Sequence, residues 1–144
     1  MATENNLDVI LDLASFNVVE RNLSFLRSLV KEYANVVFAN EEEARVYSKG
    51  KDTEESLAEL AKDCWIAVVK TGKEGSLIQN GQQIFKVEAT KVNCIDTTGA
   101  GDLYAAGFLY GMLNGANLQV CGEIGSIIAG KVIEVFGAKI PDET

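Results

Sequence analysis

An acid placed directly after a glycine-rich bend is the arrangement in this chain that carries the most chemistry. The string Asp96-Thr97-Thr98-Gly99-Ala100-Gly101-Asp102 runs straight into an apolar stretch over residues 103–109. Glycines let the backbone turn tightly, and a helix starting at the turn aims its unpaired N–H groups into it, so an anion can be held without basic side chains. Asp102 cannot itself hold that anion, because carboxylate and phosphate repel. Its place suits it to meet the group that attacks the phosphate, which is the chemistry of phosphoryl transfer. The helix start also favours the ionised carboxylate, a weak base that suffices where proton removal lags behind a loose transition state. From these residues alone, a tight turn with an acidic helix start reads equally well.

Other polar residues have two readings each. Asn40 followed by Glu43 is the spacing of a capping box at a helix start. Thr71-Gly72 follows an apolar run, where a parallel sheet presents its carboxyl ends to ligands, but Gly72 and Gly75 also suit an ordinary turn into a hairpin. Asp96 can cap its own turn by accepting local N–H bonds. Ser126 falls on a small helix face suited to packing, and Asp12 reads as a cap or a solvent-facing carboxylate, outside the site.

The elements that must position these residues follow from periodicity. Residues 7–13 read as a strand, and Leu23, Leu26 and Val30 recur at helix spacing within 19–33. Residues 36–39 and 65–69 are short apolar runs of buried strands. Between them, one helix starts near Glu41 and breaks at Gly50, and a second starts after Asp52, which forms an acidic capping box with Glu55. Residues 76–79 pair with 83–87 across Asn80-Gly81, a hairpin signal. Two helices, 102–113 and 118–136, close the chain around the Asn114-Gly115 break. Gly107, Gly111 and Gly115, and likewise Gly122, Ser126 and Gly130, give them small faces for close approach. The alternation predicts an α/β fold: a mostly parallel sheet flanked by helices, with an added hairpin.

Composition narrows the function classes. A chain of 144 residues, 47% hydrophobic and 24% charged, suits one globular domain with a real core. The formal charge of −8 argues against nucleic acid as a partner. Histidine is absent, which removes Ser-His-Asp and Cys-His hydrolases and histidine-bound metals. Cys64, Cys94 and Cys121 are odd in number without metal-type spacing, so reduced cytoplasmic thiols are expected. The first six residues lack signal-peptide character, and no apolar run reaches membrane-spanning length, so neither export nor a membrane is expected.

Three elements together carry a family resemblance: the string 96–102, Asn40-Glu41-Glu42-Glu43, and Val69-Lys70-Thr71-Gly72-Lys73-Glu74-Gly75. In order and spacing they resemble the ribokinase-like, or PfkB-type, carbohydrate kinases, which use ATP to phosphorylate a hydroxyl of a sugar or nucleoside. The resemblance covers residues 7–140. Members of that family are about twice as long, so the whole chain, 1–144, resembles a C-terminal nucleotide-binding and catalytic portion without the N-terminal half and lid. It implies an anion hole from the N–H groups of Gly99, Ala100 and Gly101, with Asp102 as catalytic base. It further implies Thr71 and Gly72, with Thr98, Gly99 and Gly101, at the nucleotide, with charge from Lys70 or Lys73, and Ser126 near adenine. Asn40 and Glu43 would hold the water shell of Mg²⁺, and Asp96 with the Thr98 carbonyl would bind a monovalent cation, often K⁺, in members that depend on one. The same loop in a module that binds nucleotide without turnover is the competing reading. A sheet lacking half its strands is expected to self-associate or to require the missing half.

Overall fold

The computed structural model describes residues 7–137, so the readings that rest on residues 1–6 and on the end of the resemblance at 140 lie outside it. These residues divide into two compact units. One runs to Thr71 and includes Leu77–Ile84; the other comprises Gly72–Ser76 and the chain from Phe85 onward.

The first unit is built on parallel strands β1 (Ile10–Asp12), β2 (Val36–Asn40) and β3 (Ile66–Lys70). β1 pairs with β2 from Ile10 against Val36, and β2 pairs with β3 from Val36 against Ile66 to Asn40 against Lys70. Four successive residues of each longer strand, Val36 to Ala39 and Ile66 to Val69, are buried, so both faces are covered as parallel strands require. Helices α1 (Phe16–Arg21), α2 (Leu23–Tyr33), α3 (Glu41–Ser48) and α4 (Thr53–Leu60) fill the crossovers. Val19, Val30, Tyr47, Leu57 and Leu60 from those helices form one core with Val37, Ala39, Ala67 and Val69. Each valine or leucine among them stabilises the unit by roughly 1.5–3 kcal/mol when fully buried.

The expected single helix over 19–33 is instead two helices meeting at Asn22. The Asn22 side-chain amide donates to the Val18 carbonyl at 2.9 Å, and its φ of −123° leaves the helical region. Asparagine breaks the helix by competing for a backbone acceptor. The hairpin is present as β4 (Ser76–Asn80) and β5 (Gln83–Val87), which extend the sheet to the order β1-β2-β3-β4-β5. Its turn lies one residue later than expected, on Gly81-Gln82, because Asn80 stays in the strand while Gly81 takes a φ of +56°.

In the second unit, α5 (Ala100–Leu113) packs on α6 (Leu118–Ile133). A Cβ on Gly107 would lie 2.9 Å from the Gly125 Cα, and one on Gly111 would lie 3.1 Å from the Cys121 Cα, so these glycines do permit close approach. On α6 the atoms these glycines would meet belong to Cys121, Ile124 and Gly125. Gly130 instead faces Thr90, and Gly115 is a turn residue with φ +75° and open space around it. Among the described residues, no helix is long and apolar enough to cross a membrane. The three cysteines are free.

Candidate functional site

The loop before α5 is held by its own polar groups. The Ile133 carbonyl, at the end of α6, accepts the N–H groups of Ile95 at 2.6 Å and Asp96 at 3.2 Å. Asp96 Oδ1 accepts from the Thr98 N–H at 2.9 Å and the Thr98 hydroxyl at 2.7 Å, while Oδ2 accepts from the Gly137 N–H at 3.0 Å. These bonds hold the Asp96 carboxyl below the usual carboxylate range, the Thr98 hydroxyl first among them. They make Asp96 the cap of its own turn and leave acceptor capacity on Oδ2, which takes a single bond.

A group whose folded pKa is depressed stabilises the fold above its unfolded value and loses that contribution as pH falls through the folded one. Asp96→Asn is therefore expected to flatten the loss of stability on acidification below pH 3.8, the ordinary value, in urea denaturation series run at stepped pH. An acid limb identical to that of the wild type would show that Asp96 does not contribute.

Gly99 forms the N-cap of α5 with φ +80°, which glycine adopts without strain. The Ala100 N–H donates to the Thr97 carbonyl at 3.1 Å, which corrects the expectation that Gly99, Ala100 and Gly101 all offer donors: the middle one is already used inside the turn. Among the described residues no protein acceptor takes the N–H groups of Gly99, Gly101 or Asp102. The inward turn of Ala100 thus leaves Gly99 and Gly101 from the expected set, joined by Asp102. The Asp102 side chain is exposed, in the first turn of α5.

In the other unit, Asn40 and Glu43 form a complete capping box. Asn40 Oδ1 accepts from the Glu43 N–H at 2.8 Å, and Glu43 Oε2 accepts from the Asn40 N–H at 2.9 Å. Glu43 Oε1 accepts from the Asn40 side-chain amide at 2.8 Å. Glu43 is only 4% exposed, and burial pushes its carboxyl up, against the bond from the Asn40 backbone. Such a group suits a cap better than a direct metal ligand, and any magnesium role would pass through water on its remaining lone pairs. Asn40→Ala removes the cap acceptor and leaves a buried carboxylate short of a donor, so a loss of about 1–2 kcal/mol is expected by urea denaturation. A loss within error of zero would show the box to be idle.

Two further residues stand beside that box. Lys70 Nζ lies 2.8 Å from Asp12 Oδ2, and Asp12 Oδ1 accepts the Ala14 N–H at 2.9 Å, holding Ala14 at φ +62°. Asp12, Asn40 and Lys70 are the last residues of the three parallel strands, the edge at which such sheets meet ligands. By local sequence Asp12 lies outside the site and Lys70 contributes only charge. The strand-end position was the signal available for both, but their pairing spans 58 residues.

Thr71, half-buried, follows β3, and Gly72 opens a 3₁₀ turn, Gly72–Glu74, with φ +56° and open space where a Cβ would stand. Ser126 lies on the packed face of α6, as its small-residue spacing predicts. It is 8% exposed, donates to the Glu88 carbonyl at 3.1 Å and accepts the Thr90 N–H at 3.0 Å. Its hydroxyl clamps the 88–90 segment onto α6, which is a packing role. Among the described residues no group of three or more acidic or cysteine side chains could enclose a metal ion. Mg²⁺ does not need such a cage, since it binds through one or two carboxylates, waters and the phosphates themselves.

Comparison with known proteins agrees with this reading of the fold. The sequence pattern of the pfkB family carbohydrate kinases matches residues 5–144. An uncharacterized sugar kinase of Archaeoglobus fulgidus is 45% identical over 74 residues, covering 51% of this chain and 30% of that protein. A nucleoside kinase of Methanothermobacter thermautotrophicus is 38% identical over 112 residues, covering 75% and 35% respectively. The crystal structure of adenosine kinase from Sinorhizobium meliloti superposes with a TM-score of 0.92 at 36% identity, covering 96% of this chain and 43% of that one. The chain thus spans well under half the length of these relatives. With the family pattern matched along nearly its whole length, on a parallel α/β sheet of that fold, the chain belongs to the pfkB family of carbohydrate kinases.

Proposed function

We propose that this chain supplies the nucleotide-binding and catalytic part of an ATP-dependent kinase acting on a hydroxyl of a sugar or nucleoside. The observation that carries the reading is the set of unpaired N–H groups at Gly99, Gly101 and Asp102 beside the exposed Asp102 carboxylate. Such donors stabilise charge on a transferring phosphoryl group without the cost of reorganising solvent. The acceptor oxygen attacks the γ-phosphorus, the bond from that phosphorus to the β–γ bridging oxygen breaks, and ADP leaves with the electron pair. The acceptor's proton passes to Asp102. Mg²⁺, brought with ATP, would offset phosphate charge. Thr71 and Gly72 are assigned to the nucleotide, Gly72 because its open position lets a phosphate approach the backbone. No step is assigned to a monovalent cation at Asp96.

The test is calorimetric titration of the chain with ATP and magnesium, followed by a phosphorylation screen over sugars and nucleosides. ATP binding with transfer is the expected result. Binding without transfer to any acceptor would favour a nucleotide-binding module, and no binding would overturn both.

A further inference from the structure

Ser76 and Tyr104 share a hydrogen bond of 2.6 Å between their hydroxyls, and both are buried, at 1% and 5% exposure. The two residues lie 28 positions apart, and neither belongs to the chemical motifs. Ser76 follows the Gly72–Glu74 turn after one residue. Tyr104 follows Asp102 after one residue, early in α5. The pair therefore ties the turn assigned to the nucleotide to the helix that carries the assigned base.

The tyrosine ring has little freedom to adjust. It stacks on Phe108 with centroids 6.4 Å apart, and it leaves no room for a side chain at Gly125, whose Cβ would come within 3.2 Å of the ring. Burial pushes the phenol up to about 12, so it remains a neutral hydroxyl throughout the physiological range. A phenylalanine facing an alanine would fill nearly the same space without burying polar atoms, so stability alone does not demand two hydroxyls. What the bond adds is direction.

We propose that Tyr104 is a positioning residue which, through Ser76, fixes the Gly72–Glu74 turn relative to the first turn of α5, so that one buried bond sets the geometry for nucleotide binding. The inference rests on the functional reading above. It is tested by titrating ATP with magnesium into the wild type, Tyr104→Phe, Ser76→Ala and the double variant, at a temperature where all are folded by circular dichroism. Tyr104→Phe leaves the buried Ser76 hydroxyl without this bond and should lower the thermal midpoint, while the double variant removes both ends of the bond and should regain it.

All three should nevertheless bind ATP about five- to tenfold more weakly, the size of one hydrogen bond's net contribution. Gly111→Ala crowds Cys121 in the same helix pair and serves as the control: a lower midpoint with unchanged ATP affinity is expected. Wild-type affinity in the double variant, or equal weakening in Gly111→Ala, would overturn the proposal. A wild type that binds no ATP would instead defeat the functional reading on which it stands.

Discussion

Asp102→Asn is expected to reduce phosphoryl transfer by about 10²–10⁴-fold, the usual loss when a positioned acid–base group is removed. ATP binding should survive the change and strengthen slightly, because an anion at the Gly99, Gly101 and Asp102 N–H groups would no longer face a carboxylate. The fold should barely notice, since the side chain is exposed and exposed substitutions away from packing are usually small in effect. A fall in kcat with KM unchanged would mark an interaction made only in the transition state. A steady-state assay on the best acceptor from the screen, paired with thermal melts, reads all three quantities. Should turnover stay within a few-fold of wild type, Asp102 is not the base and the loop's role reduces to binding.

How such a loop would hold a nucleotide in a chain of formal charge −8 is a question of range. Repulsion among exposed charges is screened beyond about 8–10 Å, while N–H groups in direct contact with a phosphate act inside that distance. Peptide donors are also fixed by the turn, so they lose no side-chain entropy on binding, as a lysine would. Net charge therefore bears on nucleic-acid binding, which needs an extended basic surface, and leaves the binding of a single triphosphate open.

Features governed by bonds three or four residues long were legible in the sequence, except the break that Asn22 makes through Val18. The cap at Asn40 with Glu43 and the cap at Asp52 both formed at the expected residues, as did the buried strands around Val37 and Val68. Even there, detail shifted: Glu55 reaches back to the Lys51 N–H and not to Asp52's own. The loop at 96–102 was legible as a turn, yet the inward bond of the Ala100 N–H depends on the path of Thr97, which no residue type announces. Partners far apart in the chain were not legible. Asp12 with Lys70, Ser126 with Glu88 and Ser76 with Tyr104 meet only because crossovers bring distant segments together. Each of these residues, taken singly, has an ordinary local role that predicts nothing about its partner.

The largest stability effect is expected at Gly75. Its φ of +108° is a region that side-chain-bearing residues rarely adopt, and a Cβ there would lie 1.8 Å from the Val87 carbonyl oxygen and 2.8 Å from the Ala89 nitrogen. Both neighbours are backbone, so neither can swing aside as a flexible side chain would. Gly75→Ala must displace the 87–89 segment or the turn itself, at a cost of about 4 kcal/mol or more, which few single substitutions reach. Against a total of about 5–15 kcal/mol, that would lower the melting temperature by roughly 10 °C or more. Gly72→Ala is the contrast. Its φ is also positive, +56°, but nothing stands within 4 Å of the added carbon, so only the left-handed penalty of about 1–2 kcal/mol applies. If Gly72 meets the nucleotide, its alanine variant should lose more in ATP affinity than in stability, while Gly75→Ala should lose stability first. Urea denaturation of both variants, read beside ATP titration, decides the matter. Equal stability losses at the two positions would mean that the backbone around Gly75 yields where this packing says it cannot.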